Sequence, residues 1–251
     1  MHLAGIQSVP ESWRDPARVF RVNTGGTAAL LRAIEHSAPE AHLLLASTAA
    51  VYGDRGPGDR DTSRPFAEDD ALAPGSPYAA SKAAAEVLAG EAAARTGMPV
   101  TVARLFNQLG PDQPGSQVPA GFAASIAKAE AEGAAAVTLE VGNPDARRDY
   151  TDVRDTARAF RMVTEGRVTG KFNFCSGDSV PLSRLIDGLA AASGIAVEVE
   201  HRPESANRGD IDEFAGSPER LEAATGWRPQ IGLDRSLAEM LAFRREAAAA
   251  D

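Results

Sequence analysis

The order in which helical and strand-like segments follow one another constrains this chain more than any other feature. Short apolar runs at 41–47, 100–105, 137–141, 171–175 and 197–200 have the length and composition of strands. Before, between and after them lie stretches with helical composition, at 15–36, 76–95, 120–132, 152–164, 181–192, 218–225 and 233–248. Strands that alternate with helices build a parallel sheet with helices on its faces, so the fold class is α/β. Segments 52–75 and 107–119 are rich in Gly and Pro and read as loops. At 251 residues the chain can hold one large domain or two small ones.

Within that pattern, Tyr78 and Lys82 stand four residues apart just after Pro77, which puts a phenol and an ammonium on one face of a helix. A lysine so placed can stabilise a tyrosinate and lower a phenol pKa that is ordinarily about 10, giving a proton donor suited to carbonyl reduction or alcohol oxidation. The spacing alone leaves a plain surface pair equally open. Other signals narrow the field by exclusion. A net charge of −9 argues against a nucleic-acid surface. The four histidines are scattered without ligand spacing, so no metal site is expected. A single cysteine, Cys175, cannot form an internal disulfide and fits a reducing, cytoplasmic setting. No apolar run is long enough to span a bilayer, and residues 1–16 lack the features of a signal peptide, so no membrane partner is expected. The glycine-rich turn G-x-G-x-x-G, which holds a dinucleotide pyrophosphate after a first strand, is not found after any strand. Gly25-Gly26 comes closest, but it lies inside a helical pattern and is expected to allow close helix packing.

Several motifs occur together in a recognisable order: His2-Leu3-Ala4-Gly5, Asn23-x-x-Gly26-Thr27, Ser47-Thr48-x-x-Val51-Tyr52-Gly53 and Ser76-Pro77-Tyr78-Ala79-x-Ser81-Lys82. They are followed by Arg104-Leu105-Phe106-Asn107-x-x-Gly110-Pro111, Gly142-Asn143, Arg148-Asp149-Tyr150-Thr151-Asp152-Val153-x-Asp155, Asn173-x-Cys175-Ser176-Gly177 and Thr225-Gly226-Trp227-x-Pro229. In order and spacing the chain resembles the extended short-chain dehydrogenase/reductases, the NAD-dependent epimerases and dehydratases of nucleotide sugars, over essentially its whole length. The resemblance implies a Rossmann-type parallel sheet with a smaller α+β substrate-binding subdomain. It assigns 1–106 plus 152–174 to the dinucleotide-binding domain and 107–151 plus 175–251 to the nucleotide-sugar subdomain. In this family the HLA segment closes the fourth strand of the sheet, so the resemblance also implies an N-terminally truncated sheet. Two β-α units, roughly 60 residues, are expected upstream of residue 1, leaving an apolar strand edge.

The same resemblance implies roles for individual residues. Tyr78 is the expected general acid/base, Lys82 its partner on the nicotinamide ribose, and Thr48 a donor to the reacting sugar oxygen. Ala4, Ser47 and Leu105 join Tyr78 and Lys82 at cofactor-binding positions, and Asn107, Arg148 and Arg208 match positions that hold the diphosphate substrate. Dehydratases of the family carry an acidic residue two places after the threonine. Here Ala49 and Ala50 follow Thr48, which disfavours dehydration. The segments at 106–113 and 142–155 are most similar to the branch that reduces GDP-4-dehydro-6-deoxy-D-mannose, although Leu105 stands where that branch has proline. The expected activity is therefore reduction of the C4 ketone of a nucleotide-diphosphate sugar, GDP-linked, with NADP or NAD as cofactor and NADPH favoured. The alternatives are a nucleotide-sugar 4-epimerase and a non-catalytic remnant that binds sugar nucleotide only. A homodimer through the Tyr78 helix and the 15–36 helix is implied by resemblance. Other features have simple readings: Cys175 as core, Trp227 as a packing anchor, Asp152 and Asp155 as acids of a first helical turn, and Glu68-Asp69-Asp70 as a solvated loop.

Overall fold

The structure, a computed structural model, describes residues 1–54, 64–202 and 213–250. Its helices are α1 (Val9–Arg14), α2 (Pro16–Phe20), α3 (Gly26–Ser37), α4 (Pro77–Thr96), α5 (Val118–Ala131), α6 (Val153–Glu165), α7 (Leu182–Ala192), α8 (Glu219–Thr225) and α9 (Leu233–Ala250). Its strands are β1 (Leu43–Thr48), β2 (Val100–Leu105), β3 (Asn107–Leu109), β4 (Ala136–Val141), β5 (Arg147–Asp152), β6 (Gly170–Phe174), β7 (Ser179–Pro181), β8 (Ala196–His201) and β9 (Glu213–Phe214). A π-helical turn, Arg21–Gly25, joins α2 to α3. The chain divides into two compact units: 1–106 with 157–175 and 216–227, and 107–156 with 176–215 and 228–251.

In the first unit, β1, β2 and β6 form a parallel sheet in the order β1-β2-β6. His2 adds a parallel bridge on the outer side of β1, opposite Leu45. Successive strand residues point to opposite faces, and the core follows that rule. Leu43, Leu45, Val100 and Val102 pack under α3 and α4 with Leu31, Ala85 and Ala89. Leu44, Ala103, Phe172 and Phe174 face the other way and meet Ala159, Val163, Leu221 and Trp227. Helices on both faces of a parallel sheet are the arrangement of a Rossmann-type fold. Helix α4 has signals at both ends: the Ser76 hydroxyl caps the Ala79 N–H at 3.1 Å, Pro77 opens the first turn, and Gly97 closes the helix at φ 74°.

The second unit has two small sheets. β4 pairs with β8 in parallel, while β5 pairs with β3 and β9 in parallel and with β7 antiparallel. Its core joins Ile126 of α5, Leu139 of β4, Leu185 and Leu189 of α7, and Leu237 and Leu241 of α9.

Four expectations need correction. The glycine-rich segment at 107–119 contains β3, and the polar run Arg147–Asp152 is strand β5, with Asp152 ending a strand where a helical first turn was expected. Periodicity misses such elements because they are three to six residues long and their polar side chains are satisfied by distant partners. Gly25 and Gly26 do not serve close packing: a Cβ at Gly26 would meet nothing within 4 Å, and one at Gly25 only the Phe20 carbonyl at 4.0 Å. Nor is Glu68-Asp69-Asp70 a uniformly solvated loop. Glu68 is buried, accepts the Asn173 N–H at 2.8 Å and pairs with Arg220, whereas Asp69 remains exposed. A buried carboxylate persists only with such partners, and both come from far along the chain.

Candidate active site

In the first unit, three of the expected residues converge. Thr48 ends β1, and its hydroxyl accepts the Ala50 N–H at 3.2 Å and lies near enough to the Tyr78 phenol to favour its charged form. Tyr78 lies in the first turn of α4, and Lys82 follows one turn later. The Lys82 Nζ donates to the Ala46 carbonyl at 2.9 Å and is buried. Burial pushes the Tyr78 phenol above its ordinary value, and the nearby Thr48 hydroxyl offsets only part of that rise. Burial also lowers Lys82. Both groups lose hydration of their charged forms, and the ammonium is directed at Ala46. The phenol stays protonated at neutral pH, as a proton donor must.

Two residues without an expected role complete this surface. The Asn23 side chain holds both the N–H and the C=O of Ile6, at 2.8 and 3.0 Å, and donates to Ser81 Oγ at 3.0 Å. Gly5 lies so close to this clamp that an added Cβ would stand 2.9 Å from Asn23 Oδ1 and 3.3 Å from Lys82 Nζ. The motif Asn23-x-x-Gly26-Thr27 marks the position of Asn23 in the sequence, but its partner at Ile6 is 17 residues away. Ala4 is exposed beside Gly5, and Leu105 is half-buried in register with Thr48 and Phe174. Ser47 is buried, and its hydroxyl donates to Glu86 at 2.5 Å.

In the second unit, Asn107 and Arg148 line a cavity of about 760 Å³, together with Gln113, Phe122, Ser125 and Tyr150. The Asn107 amide donates to the Asp149 carbonyl at 3.4 Å, and Arg148 Nη1 donates to the Arg147 carbonyl at 2.8 Å. Gln113 donates to the Gln108 carbonyl at 2.8 Å, while its shielded Oε1 has no hydrogen-bond partner among the described residues. Arg208 lies outside the described residues. The acids of the 148–155 motif are structural. Asp149 accepts the Ser176 N–H and Oγ–H and the Gly177 N–H, at 2.7–2.9 Å. Asp155 accepts the consecutive N–H groups of Gln230 and Ile231, both at 2.8 Å. Asp152 binds Arg154 and Ser236. No group of three His, Cys, Asp or Glu among the described residues could hold a metal, and no described helix is long and apolar enough to cross a membrane.

The family model described as GDP-mannose 4,6 dehydratase matches residues 1–240. A GDP-6-deoxy-D-mannose reductase of Pseudomonas aeruginosa is 37% identical over 242 residues, covering 96% of this chain and 78% of that protein. The solved structure of RMD from Pseudomonas aeruginosa complexed with NADPH superposes with a TM-score of 0.90 at 35% identity, covering 98% of this chain and 80% of that one. A UDP-glucose 4-epimerase from Thermus thermophilus, in complex with NAD, gives a TM-score of 0.84 at 31% identity, covering 98% and 77%.

Proposed function

The chain belongs to the GDP-mannose 4,6 dehydratase family, and on that premise we propose that it is an NADPH-dependent reductase of the C4 ketone of a GDP-linked 4-dehydro-6-deoxy sugar. The observation that carries the reading is the Thr48 hydroxyl beside the Tyr78 phenol with Lys82 one turn along α4, followed after Thr48 by Ala49 and Ala50. A donor pair is present, and the positions where a dehydratase places its extra acid carry no ionisable group.

Tyr78 gives its proton to the oxygen at C4 as negative charge develops there, and its raised pKa keeps that proton in place at neutral pH. Thr48 supplies a second hydroxyl to the same oxygen, so two donors stabilise the developing alkoxide. The Lys82 ammonium stabilises the phenolate left behind. Ammonium carries three N–H donors; one goes to Ala46, and the others suit the hydroxyls of a ribose. The absence of a side chain at Gly5 leaves the approach to Lys82 open. These residues fit a nicotinamide dinucleotide, with Ala4, Ser47 and Leu105 at the remaining contact positions. When bound, the reduced nicotinamide supplies the hydride.

Asn107 and Arg148, with Arg208 by resemblance, hold the diphosphate, for which guanidinium is suited through its paired donors. The shielded, unpaired Gln113 Oε1 in the cavity lining offers an acceptor to a ligand hydroxyl or N–H. The GDP link follows the 37% identical reductase. A homodimer through α3 and α4 is part of the proposal, supported by apolar surface such as Val87, which is 67% exposed. A cytoplasmic location is likewise proposed.

The test is incubation of the purified protein with GDP-4-dehydro-6-deoxy-D-mannose and NADPH. Loss of reduced-nicotinamide absorbance in step with formation of the 4-hydroxy sugar is expected. Interconversion of a UDP-hexose pair without net cofactor consumption would replace this reading with a 4-epimerase.

A further inference from the structure

Tyr78, Lys82 and Glu86 follow one another at four-residue intervals, so a single face of α4 carries all three. Glu86 takes no part in the chemistry described above, yet it is 2% exposed and held from two strands. Ser47 Oγ donates to it at 2.5 Å, and Arg104 donates through Nε at 3.1 Å and Nη2 at 2.7 Å. Arg104 is 1% exposed, and its Nη1 donates to the Tyr52 hydroxyl at 3.0 Å and the Glu68 carbonyl at 2.9 Å. The Tyr52 hydroxyl donates in turn to Asn173 Oδ1 at 2.7 Å. Ser47, Arg104 and Asn173 are register partners across β1, β2 and β6. A single buried polar row therefore crosses the whole sheet one residue before Thr48, and Glu86 ties it to the helix bearing Tyr78.

A buried ion pair is weak as a source of stability, since apolar residues of similar volume often serve as well. What such a pair can fix is position. Lys82 precedes Glu86 by four residues, the spacing at which lysine and glutamate on a helix reach each other. Glu86 is engaged by Arg104 instead, and the Lys82 ammonium donates along β1 to Ala46. The groups around Lys82 are Tyr78 and Glu86 on its own helix, His2 and Gly5 of the N-terminal segment, Asn23, and the Ala46 carbonyl. Of these, Glu86 alone is a carboxylate.

We infer that Arg104 is a positioning residue: by engaging Glu86 it keeps Lys82 directed at β1, beside Thr48 and Tyr78, instead of drawn back along its own helix. The inference rests on the reading of Tyr78 and Lys82 as the catalytic pair. It identifies the arginine of Arg104-Leu105-Phe106-Asn107 with the geometry of the proton donor.

The test compares Arg104→Met with Glu86→Gln/Arg104→Met in NADPH-dependent reduction. The single variant leaves Glu86 unpaired. Its kcat is expected to fall on the order of a hundredfold, the cost of displacing a reacting group by about an ångström, with the KM for the GDP-sugar unchanged. The alkaline limb of its pH profile moves upward as Lys82 gains an anionic neighbour. The double variant carries neither charge and is expected to recover to within about tenfold of the wild type, with the limb restored. If the single variant does not fold, the double variant decides alone. A double variant that fails to fold, or that folds and stays as impaired as the single, overturns the inference, because the pair then acts through core stability. An Arg104→Met protein with wild-type kcat and an unmoved limb overturns it as well. Tyr78→Phe, measured alongside, separates the two levels. Retained activity there defeats the catalytic reading itself, whereas an inactive Tyr78→Phe beside an unimpaired Arg104→Met defeats only the role of Arg104.

Discussion

The two units build their functional surfaces by opposite means. In the first, Tyr78 and Lys82 stand one turn apart on a capped helix, and Thr48 ends a strand of six residues in a regular parallel sheet. In the second, Asn107 stands on a strand of only three residues and Arg148 on a polar strand of six. There the shape depends on carboxylates that bind backbone N–H groups of other segments: Asp149 holds Ser176 and Gly177, and Asp155 holds Gln230 and Ile231. Chemistry that needs fixed distances is thus carried by a regular sheet and helix, while the expected ligand contacts are carried by strands whose neighbouring loops are held by side chains. A change in the first unit should damage rate, and a change in the second should damage binding or local stability.

The largest effect expected is from Tyr78→Phe, which removes the proton donor and should lower kcat on the order of a thousandfold, about 4 kcal/mol, with little change in KM. Steady-state kinetics check it, and a comparable rise in KM instead would blur the division between the units. Next comes Asp149→Ala. Loss of a fully buried carboxylate that accepts three hydrogen bonds should destabilise by about 3 kcal/mol. Chemical denaturation measures the loss, and hydrogen exchange should place it at residues 176–177. Arg148→Met is smaller. It should raise the KM for the GDP-sugar about tenfold or more while kcat holds, since one charge-assisted contact contributes about 1.5–3 kcal/mol. A fall in kcat of the same size would mean that Arg148 also positions the reacting carbon.

The smallest effect is in the pH profile. Burial raises Tyr78 from 10.0 and lowers Lys82 from 10.5. A lowered lysine loses its proton sooner as pH rises, and a raised phenol keeps its own longer. The alkaline limb of kcat that belongs to Lys82 should therefore lie below 10.5. Acid pH touches the second unit instead. Burial alone would raise Asp152, but bonds from Arg154 and Ser236 outweigh it and hold the carboxyl below its ordinary 3.8. A depressed carboxylate stabilises the fold above its unfolded pKa and loses that contribution as pH falls through the folded one. Its share of stability is thus intact at neutral pH and fades only below about 3.8.

The sequence by itself determined the α/β class, the seam of apolar strands β1, β2 and β6, the helix bearing Tyr78 and Lys82, and the proximity of those two residues. All of these depend on contacts a few residues apart or on the side-chain period of regular structure, which a linear chain displays directly. The family, too, was legible, through motifs spread from His2 to Pro229. Tertiary structure alone decided that Ser47 binds Glu86, that Glu68 is buried, and that Gly5 lies against Lys82. It also placed Gly216–Trp227 with the first unit, where Leu221 and Trp227 fill the core beneath Phe172 and Phe174. Each of these outcomes joins residues tens of positions or more apart. A buried polar group must find its partner wherever the folded chain brings one, and no local pattern records where that will be.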